Sequence, residues 1–330
     1  MTQTDIDVLG IGNAIVDVLS QTDDDFLSEN GLAKGAMTLI DADQAEGLYA
    51  KMGPGVEVSG GSAANTIACL ASLGGQGAFI GKVRDDQLGD VFRHDIRAGG
   101  VNFETAPKED GAPTARCLIF VTPDAERTMQ TFLGVSVELG PDDIDEDLIS
   151  RSAVTYLEGY LWDPPLAKEA FVKAAKIAAG AGRKVSLSLS DPFCVDRHRD
   201  DFLDLVNNHV DILFANEDEI TSLYQVENFD DALQHVRGHC EIAALTRSSK
   251  GSVVVAGDEV HVLDAHKVDK VVDTTGAGDS YAAGFLWGYT NGRGLAECGD
   301  IGGIVAAEIV GHYGARAETD LAKLVAEKLG

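Results

Sequence analysis

A chain of 330 residues, 45% hydrophobic and 24% charged, has room for one large α/β domain with an appendage and is too apolar to be disordered. Its formal charge of −28, from 54 acidic against 26 basic residues, repels nucleic acid and anionic membranes, so neither is an expected partner, although a halophilic source would leave the same mark. The same field repels ATP, so any phosphate site must be built locally from amides, a few cations and a metal.

Residues 6–12 read as a buried strand, and 14–59 show only short apolar pieces between polar turns. A helix is predicted over 62–73, stopped by Gly74-Gly75, then a strand over 78–83 and an amphipathic helix over 87–98. Three β-like runs at 101–106, 115–122 and 128–133 suggest hairpins. From about Pro141 the pattern is regular. Strands at 154–160, 185–189, 210–215 and 242–246 alternate with helices at 165–179, 199–207, 217–224 and 229–238. A hairpin over 252–265 turns at Gly257-Asp258, and helices over 277–290, 295–310 and 321–328 finish the chain. The alternation predicts a largely parallel sheet covered on both faces. The segments near 14–45 and 101–135 interrupt it and are expected to form one small projecting sheet. No linker divides the chain, so a single domain is expected. Five cysteines without ligand spacing, a start lacking a basic leader and no long apolar run make the cytoplasm the expected location.

The most informative stretch is Val271-Val272-Asp273-Thr274-Thr275-Gly276-Ala277-Gly278-Asp279-Ser280, a strand-like pair running into a Gly-Ala-Gly turn that opens an apolar helix. Unpaired amides at a helix start suit a developing phosphate anion. Asp279, in the first turn, is placed to accept a hydroxyl proton as the oxygen attacks phosphorus. Alone, this would be a capping aspartate on a tight turn. Ser59-Gly60-Gly61-Ser62-Ala63-Ala64-Asn65 supplies a second glycine-opened helix, with Asn65 one turn inside and able to offer its amide to hydroxyls. Asn13 and Asp17 follow the first strand, where open α/β sheets bind ligands, and one carboxylate there can accept from two adjacent hydroxyls.

Other patterns fall away. Gly10-Ile11-Gly12 lacks the third glycine of a dinucleotide fingerprint, no P-loop is present, and His198-Arg199-Asp200 has Leu205 where a protein-kinase loop needs asparagine. Asn216-Glu217-Asp218-Glu219, after the strand at 210–215, suits a hydrated Mg²⁺, although acids in a first helical turn are common. Arg127 is either a surface cation or a clamp for a transferring phosphoryl group.

In order and spacing, the Ser59 to Asn65 segment with Gly81 and Gly89, then Asn216 to Glu219, then Asp273 to Asp279, resemble the ribokinase-like (PfkB) family of sugar and nucleoside kinases. The resemblance spans nearly the whole chain. It implies a three-layer α/β/α sandwich with a small β-sheet lid, and transfer of a phosphoryl group from ATP, with Mg²⁺, to a ribose hydroxyl. Within the family the chain looks most like the adenosine kinases. The segments that say so are Gly12-Asn13 with Asp17, Asp24-Asp25-Phe26-Leu27, Leu187-Ser188-Leu189-Ser190-Asp191-Pro192-Phe193 and Val210-Asp211-Ile212-Leu213-Phe214-Ala215-Asn216-Glu217. That implies adenosine going to AMP, with a ribose or fructose kinase as the alternative.

By this resemblance Asn13, Asp17, Gly60, Gly61, Ser62 and Asn65 hold the acceptor, and Leu39 and Leu161 wall it. Gly276, Ala277 and Gly278 form an anion hole beside Asp279, the base, and Arg127 comes from the lid. Asn216 and Glu219 organise Mg²⁺ through water, and Thr246 and Gly251, with Gly278, line the nucleotide. Asp273 and Thr275 match a loop for a monovalent cation such as K⁺. One departure concerns the purine. Adenosine kinases commonly place an aromatic ring where Glu158-Gly159-Tyr160-Leu161-Trp162 has Leu161, leaving Tyr160 and Trp162 as replacements. A binding protein without catalysis is opposed by the intact Gly276, Gly278 and Asp279, and monomer and homodimer both stay open.

Overall fold

The computed structural model describes residues 4–124 and 126–330. Strand β1 (Ile6–Ile11) is buried at nearly every position because it lies deep in a sheet covered on both faces. Only Gly12, Asn13 and Ala14 separate it from β2 (Ile15–Gln21), which belongs to a second sheet. After α1 (Asp24–Glu29) and β3 (Met37–Leu39), α2 (Ala42–Tyr49) opens with a reciprocal Asp41–Gln44 capping box. Strand β4 (Gly55–Gly60) then runs back antiparallel to β2 and hands over to α3 (Ser62–Ser72) in the main body. Strand β5 (Gly77–Ile80) pairs parallel with β1, and α4 (Gln87–Ala98) packs Phe92 on Phe79 of that strand at 5.9 Å between ring centroids. Strands β6 (Ala115–Val121) and β7 (Arg127–Phe132) complete the small sheet in the order β3-β7-β6-β2-β4.

The second half repeats one unit. Elements α5 (Glu146–Arg151), β8 (Ser152–Glu158), α6 (Pro165–Gly180), β9 (Lys184–Ser188), α7 (Pro192–Asn208), β10 (Ile212–Asn216), α8 (Glu217–Tyr224), α9 (Phe229–Val236) and β11 (Ile242–Thr246) follow in turn. They extend the parallel array to β5-β1-β8-β9-β10-β11, and the hairpin β12 (Ser252–Ala256) and β13 (Glu259–Leu263) adds two antiparallel strands at one edge. Helices α10 (Ala277–Thr290), α11 (Leu295–Ile309) and α12 (Leu321–Leu329) close the chain. Alternation along β1 sends Val8 into one apolar layer, with Phe79, Tyr156 and Phe285, and Leu9 and Ile11 into the other, with Phe171 and Phe202. The result is the helix–sheet–helix sandwich that the sequence pattern predicts. Among the described residues no helix is long and apolar enough to cross a membrane.

The differences from expectation have packing causes. Residues 101–106 form no strand beyond a bridge from Asn102 to Ala78, because Val101 and Phe103 are buried, the latter between Phe79 and Phe92. Val271-Val272 joins no sheet; Val272 N–H donates instead to the Val310 carbonyl at 2.8 Å. The small sheet draws on residues 15–60 and 115–132, more of the first segment and less of the second than the sequence suggests. Helix α7 starts at Pro192, earlier than predicted, and kinks at His198.

Candidate active site

At the carboxyl ends of the parallel strands, α3 and α10 lie side by side with their N-termini near the small sheet. The start of α3 is tightly constrained. Gly61 has φ +102°, and a Cβ there would fall 2.1 Å from the Asn13 carbonyl oxygen, so both backbone and space demand glycine. Asn13 itself is buried. Its backbone N–H and Nδ2 donate to Glu158 Oε1 at 3.2 and 2.7 Å, and its Oδ1 accepts from Ser136 Oγ at 2.9 Å. The other Glu158 oxygen accepts from the Ala63 amide at 2.7 Å. Glu158 thus plugs the N-terminus of α3 from inside the protein, and burial pushes its carboxyl up to about 7 against these donors. Nothing in the sequence singles Glu158 out beyond its place at a strand end.

Asp17 faces the cleft from β2. It accepts no hydrogen bond from any described residue. Gly60, on the neighbouring strand, leaves it room, since a Cβ there would come 2.5 Å from Asp17 Oδ2. Desolvation lifts the Asp17 carboxyl to about 6, partly offset by the positive charges of Arg316 and Arg127.

Asp279 is the third residue of α10. Its Oδ1 accepts from Ser62 Oγ at 2.6 Å and its Oδ2 from Asn65 Nδ2 at 3.4 Å, so the first turn of α3 holds it. Burial in the cleft raises its carboxyl to about 6, with Ser62, Asn65 and Arg316 pulling the other way. Ahead of it, Gly276 has φ +77°, and a Cβ there would lie 2.5 Å from the Ala315 methyl. The Ala277 amide donates to Thr274 O at 3.2 Å, whereas the Gly278 and Asp279 amides find no acceptor among the described residues.

Arg127, at the start of β7, reaches the loop that leads into this helix. Its Nη1 pairs with Asp273 Oδ2 and lies 3.4 Å from Thr275 Oγ1, and the side chain is only 7% exposed. Its Nε and Nη2 are buried without a partner. Asp273 also accepts from the Thr275 and Gly314 amides at 3.0 and 2.9 Å. Although burial works against it, those amides and Arg127 hold the Asp273 carboxyl below its ordinary value. Arg127 and the first turn of α10 thus both carry donors that no described residue accepts.

On the other flank, Asn216 and Glu219 form a reciprocal capping box. Glu219 N–H donates to Asn216 Oδ1 at 2.9 Å, and Asn216 N and Nδ2 donate to the two Glu219 oxygens at 2.9 and 2.6 Å. Burial pushes the Glu219 carboxyl up to about 7. Thr246 sits beside Asn216 in strand register, and Gly251 closes the next turn by accepting from Arg247 N–H at 2.7 Å. Leu39 is 59% exposed on β3. Leu161, expected at the acceptor, is instead fully buried in the core, and Trp162 packs on Phe171 and Phe202 at 5.8 and 5.9 Å. A 3₁₀ turn over Gly159–Trp162 breaks the strand alternation there, so the ring left partly exposed, at 39%, is that of Tyr160. Its neighbours include Asp191, Asp279 and Glu219, all acidic, which with burial raise its phenol above the ordinary value.

The chain as a whole is matched by known proteins. The model of the pfkB family of carbohydrate kinases fits residues 35–321. The chain belongs to that family. It is therefore an ATP-dependent phosphotransferase acting on a hydroxyl, with a ribokinase-like fold. The kinase is 55% identical to the solved adenosine kinase of Sinorhizobium meliloti, covering 98% of this chain and 99% of that one at a TM-score of 0.90. It is 52% identical to a probable sugar kinase protein of Rhizobium etli, over 99% of each chain with a TM-score of 0.91. An uncharacterised sugar kinase of Archaeoglobus fulgidus is 31% identical over 75% of this chain and 96% of its own.

Proposed function

We propose that this kinase converts adenosine to AMP, with Asp279 as general base and Asp17 as the reader of the ribose diol. The observation that carries it is the Asp17 carboxylate, half-buried and without a protein donor. An unpartnered carboxylate in a cleft is costly until two vicinal hydroxyls donate to it. The likeness to the Sinorhizobium adenosine kinase supports the nucleoside. Leu39 and Tyr160 supply apolar and aromatic contact for the purine. A sugar acceptor is the second reading, favoured by the probable sugar kinase of similar identity.

In this mechanism Asp279 accepts the proton of the attacking hydroxyl while Ser62 and Asn65 fix the carboxylate. The Gly278 and Asp279 amides and the free Arg127 donors stabilise the charge on the transferring phosphoryl group. Thr246 and Gly251 line the nucleotide. Mg²⁺ would be held chiefly by phosphates and water, with Asn216 and Glu219 orienting that water. When bound, Mg²⁺ neutralises phosphate charge. A monovalent cation such as K⁺ would be held by Asp273 and Thr275, where among the described residues Asp273 Oδ1 takes the Thr275 amide and Oδ2 takes Arg127 and Gly314, and no step is routed through it. The small sheet, built from residues 15–60 and 115–132, serves as a lid that excludes water and limits idle ATP hydrolysis. Five free cysteines, four of them buried, suit the reducing cytoplasm.

The test is kcat/KM for adenosine, 2′-deoxyadenosine, ribose and fructose with one enzyme preparation. Adenosine should lead, and the deoxy analogue, which leaves Asp17 a donor short, should fall well behind. Asp17→Ala should narrow that gap. Faster turnover of ribose or fructose than of adenosine hands the enzyme to the sugar reading.

A further inference from the structure

Arg316 lies between α11 and α12, outside every motif of the family resemblance. Its guanidinium meets neutral oxygens only. Nη1 donates to the Ala64 carbonyl at 3.3 Å, and Nη2 to the Ser59 carbonyl at 2.5 Å and Ser59 Oγ at 2.9 Å. It forms no ion pair with a described residue, and burial draws it below its ordinary basicity. A desolvated cation without a salt bridge is expensive to keep. Two things offset that cost here.

The first is mechanical. Ser59 is gripped from both sides, because its N–H and Oγ also donate to Asp95 Oδ2 at 2.8 and 2.6 Å. Ser59 and Ala64 bracket the glycine turn and the residues that start α3, and from that turn Ser62 and Asn65 donate to Asp279. The second is electrostatic. Arg316 faces Asp17 from β2, Asp279 from α10, Asp95 from α4 and the Cys69 thiol from α3. Asp279 in turn is faced by Ser62 and Asn65 from α3, Asp17 from β2, Tyr156 and Glu158 from β8, Tyr160 beyond it, Cys69 from α3 and Glu219 from α8. Every titratable neighbour in that second set is acidic. Arg316 is the cation whose field relieves Asp279.

We propose that Arg316 is a positioning residue for phosphoryl transfer: it pins the turn that carries Ser62 and Asn65 against Asp279, and its charge keeps that carboxylate ready to accept a proton. This rests on Asp279 being the base.

The experiment is the pH profile of kcat/KM, with melting temperatures, for the wild type, Arg316→Met, Arg316→Lys and Asp279→Asn. The wild-type acidic limb should lie near 6. In Arg316→Met it should move up by about one pH unit, costing roughly fivefold at pH 6, approaching tenfold only below about pH 5, and little near pH 9. Arg316→Lys keeps the charge but not the two-point grip, so its limb should stay while kcat falls. A uniform loss across pH with the Met limb unmoved overturns the proposal. Should the Met variant not fold, the Lys variant decides, and a shifted limb there overturns it. The underlying reading fails separately, through near-normal turnover by Asp279→Asn.

Discussion

Two helices in this molecule open on glycines beside the same cleft. Both leave two amides without an acceptor among the described residues, Ser62 and Ala64 at α3 and Gly278 and Asp279 at α10, yet only one end is met by a carboxylate of the chain. At α3 the Ala63 amide is taken by Glu158, a carboxylate from the chain's own β8. At α10 the Gly278 and Asp279 amides are left unpaired, and Arg127 adds two buried donors without partners. A glycine-opened helix start is therefore not in itself a ligand site. What decides is whether the protein brings its own anion. Where it does, an amide is already satisfied; where it does not, the end can still take an anion from outside, as proposed for phosphate at α10.

Three substitutions press on that contrast. Asp279→Asn should have the largest effect, lowering kcat by about 10²–10⁴-fold while calorimetry finds acceptor affinity nearly unchanged. Arg127→Met should lower kcat by about 10²–10³-fold and raise the KM for ATP, and an unaltered rate would remove the arginine from the anion site. Glu158→Gln tests the filled end. It sets an amide against donors that need an acceptor, at a cost of about 1–3 kcal/mol in denaturant unfolding. It should also change how stability varies with pH. Burial lifts the Glu158 carboxyl from 4.5 to about 7, so between those values the folded protein holds a proton that the unfolded chain has released. Its contribution is full below about 4.5 and is lost as pH climbs through 7. The glutamine variant should lack that part of the slope in Tm between pH 5 and 7.5, and an identical slope in both proteins would refute it.

Much of this was legible in the sequence because helix starts are local. Glycines at 60, 61, 276 and 278, and the acid at 279, lie within a few residues of the structure they specify. Alternating strands and helices after Pro141 were equally plain, since each strand is buried on both faces. Glu158 and Arg316 were not, because their roles depend on meeting partners 95 or more residues away. Leu161 misled for a different reason. The family resemblance puts it where a ring meets the purine, but in the 3₁₀ turn over Gly159–Trp162 it is buried in the core and Tyr160 is left outside. The run at 101–106 has the alternation of a strand, yet Val101 and Phe103 use it to pack on β5 and α4.

The chain crosses between the small sheet and the body at Gly12, Asn13 and Ala14, at Gly61, at Thr114 before β6 and at Leu133 after β7, and Glu158 bonds at the first two crossings, through Asn13 and Ala63. Were the plate to turn about an axle through the Gly12–Ala14 and Gly61 crossings, points near that axle would travel little and points at the rim far. Asp17 stands close to it on β2, while Leu39 rides at the rim on β3, the sheet's far edge. Such a swing would leave Asp17 near Asp279 throughout and carry Leu39 through the longest arc.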